Sequence, residues 1–199
     1  LLAAERNYHL AVQAIAKPTD AALLLDDLKY TFSDSEMYRY EKLGSIEEKQ
    51  RFFERFWMSR NPMPAAQINF RLIEHFRRLL YAEKNYRYDG FRSWFNNPDK
   101  MRYLTFPAVY VLNDKFNDKG LIYIRHGRPD DTAFDIGESL VQNESWLYHS
   151  GGTQKKMIFH FVIDENAAGN NWRLTAILPQ TMLESRMTWD PVFQRLYMA

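Results

Sequence analysis

Apolar positions recur at helical spacing through the first half of the chain and alternate through most of the second. Intervals of three and four residues bury one side of a helix, and strict alternation buries one side of a strand. Residues 2–16 predict a helix carrying Leu2, Leu10, Val12 and Ile15, stopped by Pro18. Thr19 or Asp20 is placed to cap a second helix with Leu23, Leu24, Leu25 and Leu28. Tyr30-Thr31-Phe32 reads as extended, and Ser33-Asp34-Ser35 starts a short helix through Leu43, with Gly44 as its stop. Ser45 and Glu48 form a capping box for a helix with Phe52, Phe53, Phe56 and Trp57 on one stripe, a pattern of core packing. Arg60-Asn61-Pro62 ends it. A long helix over 65–86 then buries Leu72, Ile73, Phe76, Leu79 and Leu80, and Arg71, Arg77, Arg78, Lys84 and Arg87 make it basic.

Residues 88–116 are the least regular part, with a turn at Asp89-Gly90, aromatics at Phe91, Trp94 and Phe95, and a helix start at Asn97-Pro98. The aromatic knot fills a gap between helices or offers a partner-docking patch. The stretch DKGLIYIRHGRPDD, Asp118–Asp131, is the expected hinge of the architecture. It predicts a strand with Ile122, Ile124 and His126 on one face and Leu121, Tyr123 and Arg125 on the other, broken at Gly127 and Pro129. Further strands are predicted over 145–149, 156–164 and 171–178. They join it in an antiparallel meander, because the spacers are too short for crossover helices. A helical tail restarts at Asp190-Pro191.

The predicted fold class is therefore α+β: a helical N-terminal half packed on a small antiparallel meander, with helical extensions at both ends. The expected divisions are 1–27, 28–178 and 179–199.

Composition narrows the chemistry. Hydrophobic residues are 46% of 199 and aromatics 16%, so the chain can build a core and disorder is not expected. A net charge of +1 gives no field for nucleic acid, and none is expected as a partner. With no cysteine there is no disulfide, thiolate nucleophile or cysteine–zinc site. No apolar run reaches the ~20 residues of a membrane span. The chain opens Leu1-Leu2 and reads as a mature or truncated product, any signal peptide or lipid anchor lying upstream.

The sharpest catalytic candidate is Arg125-His126-Gly127, which resembles the phosphate-accepting motif of histidine phosphatases. There a strand-end His attacks phosphorus while Arg and backbone donors hold the anion. His160 and Arg173 would complete the set, with Glu144 or Asp135 as general acid. The structural alternative is that Gly127 and Pro129 shape a tight exit, with Asp130 accepting backbone N–H bonds or pairing with Arg125 or Arg128. A three-residue match arises easily by chance, so this structural reading is preferred and no catalytic residue is assigned. His126, His149 and His160 show no metal-ligand spacing, and neither metal nor cofactor is expected.

Several separated phrases together resemble the bacterial GWxTD-domain proteins. They are Phe56-Trp57-Met58-Ser59-Arg60-Asn61-Pro62, Asn69-Phe70-Arg71, Lys119-Gly120 through Gly127-Arg128-Pro129-Asp130, Glu144-Ser145-Trp146-Leu147-Tyr148 and Phe159-His160-Phe161-Val162. The eponymous turn stands here as Asp114-Lys115-Phe116-Asn117-Asp118, keeping its Asp. On this resemblance Trp57, Arg60, Pro62, Asp118, Gly120, Gly127, Pro129, Asp130 and Trp146 are structural motif positions. The resemblance implies an extracytoplasmic protein, periplasmic or outer-membrane associated, with no established reaction. The function expected is a non-catalytic interaction or scaffolding module of a cell-envelope assembly. Its partners would be other protein subunits, with membrane association through an upstream anchor or a partner.

Overall fold

The computed structural model describes residues 2–66, 68–88, 113–138, 140–149, 155–163 and 170–199. Phe91, Trp94, Phe95 and the Asn97-Pro98 helix start lie outside them. The fold is α+β, with helices and one four-stranded antiparallel sheet. The chain forms two compact units, one built on residues 1–81 and the other on residues 114–199, which residues 82–88 join.

The first unit holds α1 (Leu2–Gln13), α2 (Pro18–Leu28), a 3₁₀ turn at Lys29–Thr31, α3 (Asp34–Glu41), α4 (Ile46–Met58) and most of α5 (Phe70–Asn85). Lys17, not Thr19 or Asp20, is the N-cap of α2, and Pro18 takes the first helical position. Asp20 reaches back to accept the N–H groups of Ala16 and Lys17, each at 3.1 Å. Tyr30-Thr31 is helical rather than extended, and only Phe32 has extended backbone. The aromatic stripe of α4 is core as predicted: Phe53, Phe56 and Trp57 are buried, and Phe52 is half-buried. The Tyr8 hydroxyl donates to the Phe53 carbonyl at 3.0 Å and ties α1 to α4. Tyr8 is buried, whereas Leu10 on the same helix is exposed, as are Leu23 and Leu80.

The long helix starts five residues later than predicted, for a local reason. The Asn69 side-chain oxygen accepts the N–H groups of Arg71 and Leu72, as an N-cap does, while its amide donates to the Trp57 carbonyl at 2.6 Å. The Asn69 N–H meets the Glu5 carboxylate at 3.0 Å, so one residue joins α1, α4 and α5. Of the basic residues on α5, Arg77 and Arg78 both reach Glu74 at 2.8 Å.

In the second unit the stretch predicted to be its central strand is a helix, α6 (Asp118–His126). Apolar residues sit at so many positions here that both periods are satisfied, and the start signal decides the outcome. The Asn117 side chain accepts the Gly120 N–H at 3.0 Å, which is N-cap chemistry rather than a hairpin turn. Asp118 then lies in the first turn, where its charge complements the helix dipole, and accepts the Leu174 N–H at 2.6 Å. Leu121, Ile122 and Ile124 are all buried, which two strand faces would not have required. Gly127 closes the helix at φ 81°, a left-handed conformation that favours glycine. Gly120 is needed for space instead, since a Cβ there would sit 2.9 Å from the Tyr86 Cβ and 3.0 Å from the Phe116 Cβ.

The sheet is a meander in the order β1 (Asp131–Ala133), β2 (Asn143–His149), β3 (Lys156–Ile163) and β4 (Trp172–Thr175). Its first strand therefore follows Pro129 rather than preceding Gly127. Register places Trp146 opposite Phe159 and Glu144 opposite Phe161, so these four share one face. Tyr86 and Tyr123 pack on Trp146 at ring distances of 5.9 and 6.5 Å, which puts α6 over that face. On the other face Ser145 lies opposite His160, and Leu147 opposite Ile158. The C-terminal segment covers it: two 3₁₀ turns carry Met182 and Arg186, and α7 (Pro191–Met198), capped by Asp190, follows Trp189.

Candidate functional site

The residues considered for phosphate chemistry are distributed over both faces of the sheet. His126 ends α6, with its ring 5.4 Å from Tyr148 and 5.3 Å from Phe159. His160 lies on the opposite face, edge-on to Phe193 at 5.7 Å. Arg173 is opposite Val162, hence on the His160 side, and is buried. Asp135 pairs with Arg186 on that side as well. Glu144 is on the His126 side, 2.7 Å from the Lys119 ammonium and accepting the Trp146 indole N–H. Asp130 accepts the His149 backbone N–H at 2.6 Å, so the exit from α6 is fastened to β2.

His160 has one informative partner. Its Nδ1 is 2.7 Å from the Ser145 hydroxyl, and the Arg186 Nε donates to that same hydroxyl at 2.8 Å. Arginine has no acceptor, so Ser145 receives from Arg186 and gives its proton to His160 Nδ1, leaving the imidazole proton on Nε2. Burial, and then the Arg186 charge, hold the His160 pKa down at about 4, so the ring is neutral. Ser145 is 0% exposed, so its hydroxyl is not open to a substrate. Lys119 is likewise enclosed, with its ammonium 3.2 Å from the centre of the Trp172 ring. Burial lowers its pKa, opposed by Glu144. Among the described residues, no three His, Asp or Glu side chains are grouped to hold a metal.

The first unit presents a different kind of site. Helices α3 and α4 meet at the turn over 42–45 and line a groove of about 430 Å³. From α3 come Glu36 and Arg39, from α4 the contiguous stripe Glu48, Arg51, Phe52, Arg55 and Phe56, and from the C-cap of α4 Ser59. Arg60 lines the groove as well. Both carboxylates serve the folding of the helices that carry them. Glu36 accepts the Ser33 N–H at 2.9 Å and pairs with Arg60. Burial would raise its pKa, but the hydrogen bonds from Ser33 and Arg60 outweigh that and hold it below the usual range. Glu48 accepts the N–H groups of Ser45 and Gly44 at 3.0 and 2.9 Å, and these bonds hold its pKa low.

The guanidinium groups are not equally occupied. Arg60 is neutralised by Glu36 and lies 3.8 Å over the Phe56 ring. Arg51 donates its Nε–H to the Glu47 carbonyl at 3.2 Å. Arg39 and Arg55 are exposed and have no hydrogen-bond or ion-pair partner among the described residues. The groove therefore combines a half-buried Phe52, two spent carboxylates and uncommitted positive charge. No family model, curated protein or solved structure matches this chain. What the groove can do must be read from its own chemistry. Sequence reading assigned Phe52 and Phe56 wholly to the core. The overlooked signal was Arg51 and Arg55 in the same i, i+4 relation as Phe52 and Phe56 on one helix.

Proposed function

We propose that the chain is a non-catalytic protein-interaction module, a subunit or accessory of a larger bacterial cell-envelope assembly, related to the GWxTD-domain proteins. The observation that carries this reading is the contrast between the two histidines and the groove. Phosphoryl transfer needs a nucleophile and anion donors around one reacting atom, whereas His126 and His160 lie on opposite faces of the sheet. The groove between α3 and α4, by comparison, offers open charge beside apolar surface, which is recognition chemistry rather than turnover. The proposed setting is periplasmic or outer-membrane associated, with membrane contact supplied by a partner or an upstream anchor. Among the described residues no helix is long and apolar enough to cross a membrane.

The competing reading, a phosphate-handling enzyme at Arg125-His126-Gly127, supplies the test. Hydrolysis of p-nitrophenyl phosphate by the purified chain is expected to be no faster than by the His126→Ala variant. Robust turnover abolished by that substitution would overturn the module reading.

A further inference from the structure

We infer that the groove between α3 and α4 binds an acidic peptide segment of a partner protein, one in which carboxylates are interleaved with apolar side chains. This rests on the interaction-module reading and names the chemistry of the partner. Four arginines and two glutamates line the groove, and both glutamates are engaged by Ser33, Arg60, Ser45 and Gly44. Both glutamates stay ionised, so four arginines against two carboxylates leave two positive charges over. Arg60 pairs with Glu36 and Arg51 lies in the field of Glu48, which leaves the surplus on Arg39 and Arg55. A guanidinium presents a planar fork of donors that matches a carboxylate, and Arg39 and Arg55 have no other partner to leave. Leu43 and Phe52, both half-buried, supply the apolar part of the lining. A volume of about 430 Å³ falls in the range of sites that take a few side chains.

Nucleic acid fits these features less well. A polyphosphate backbone brought into the groove would meet the Glu36 and Glu48 carboxylates, and one side of the Phe56 ring is already taken by the Arg60 guanidinium at 3.8 Å. The net charge of +1 gives the chain no strong overall field for a polyanion. A peptide with spaced carboxylates carries far fewer charges per unit length than a phosphate backbone, so it can pair with Arg39 and Arg55 against less repulsion from Glu36 and Glu48.

The probe is a short fluorescein-labelled peptide in which glutamates alternate with leucine and phenylalanine, read by fluorescence anisotropy against the full chain. Saturable binding that weakens with salt is expected. The Arg39→Glu/Arg55→Glu variant should lose at least about tenfold in affinity while keeping the wild-type melting temperature, since both residues are exposed. Replacing the peptide glutamates by glutamine should cost a similar factor. Arg39→Gln/Arg55→Gln is the milder variant should charge reversal disturb folding. Absence of peptide binding, equal binding by folded variants, or tighter binding of an RNA oligonucleotide or inorganic phosphate each overturns the inference. Its failure is separable from failure of the module reading. A partner co-purifying equally with wild type and the double variant removes the groove assignment alone, whereas phosphatase turnover at His126 removes the module.

Discussion

Replacing Arg186 by methionine is expected to cost about 3–5 kcal/mol, the range for breaking a buried ion pair by removing one partner. The side chain is 0% exposed, and every nitrogen of the guanidinium is spent. Its Nε donates to Ser145, and one terminal nitrogen donates to the Asn143 side chain and the Ala133 carbonyl at 2.8 and 3.1 Å. The other pairs with Asp135 and donates to the Met182 carbonyl at 2.8 Å. One residue thus ties the C-terminal segment to β1, β2 and the loop after β1. Methionine fills part of the volume but leaves the partly buried Asp135 carboxylate without its counter-charge and Ser145 without a donor, while the Asn143 oxygen keeps only the Asp135 N–H. Lysine should not rescue, because its point charge cannot serve acceptors in so many directions. Adding Asp135→Asn to Arg186→Met should return part of the loss, since the orphaned charge goes with it. Urea unfolding followed by tryptophan fluorescence measures all three. A loss within about 0.5 kcal/mol, the level of an ordinary surface change, would mean the network is not the fastening it looks to be.

Acid should loosen the first unit well above the pH at which carboxylates titrate. His75 is 2% exposed, and its Nε2 lies 2.9 Å from the Asp27 carbonyl, so the neutral ring donates there. Burial, helped by the charges of Arg71 and Arg78 and opposed by that hydrogen bond, lowers its pKa from 6.5 to about 4. Above pH 6.5 the ring is neutral in both folded and unfolded chains and contributes nothing to pH dependence. As pH falls below 6.5 the unfolded chain takes up a proton that the folded chain refuses. Stability is therefore lost down to pH 4 and levels off below it, by about 3 kcal/mol in total for this one group. His160, held at about 4 in the second unit, adds a loss over the same window. His75→Gln keeps a donor for the Asp27 carbonyl and cannot titrate. Its urea midpoint should fall less steeply between pH 6.5 and 4 than that of the wild type. Parallel profiles would remove His75 as the cause.

Much of this fold is written in local signals. Ser33 with Glu36 and Ser45 with Glu48 are capping boxes that set α3 and α4 where the sequence places them. The alternation through Trp146, Tyr148, Phe159 and Phe161 predicts which residues share a sheet face, and the register agrees. Asp190-Pro191 starts α7 as read. What the sequence conceals depends on tertiary partners. Leu121, Ile122 and Ile124 satisfy a strand or a helix equally, and Asn117 decides between them by acting as a cap in what resembles a turn. Arg186 has no pattern around it, because its acceptors on Ser145, Asn143, Asp135 and Ala133 lie 41 to 53 positions earlier in the chain. The groove is half legible: the α4 stripe is visible, but Arg39 joins it only once α3 folds back.

Hydrogen–deuterium exchange on the proposed partner complex, compared with the free chain, tests the central claim most directly. Added protection is expected over residues 33–60, on α3 and α4, and it should vanish with Arg39→Glu/Arg55→Glu. Protection confined to the second unit around His126, or a chain that exchanges identically in both preparations, would contradict it.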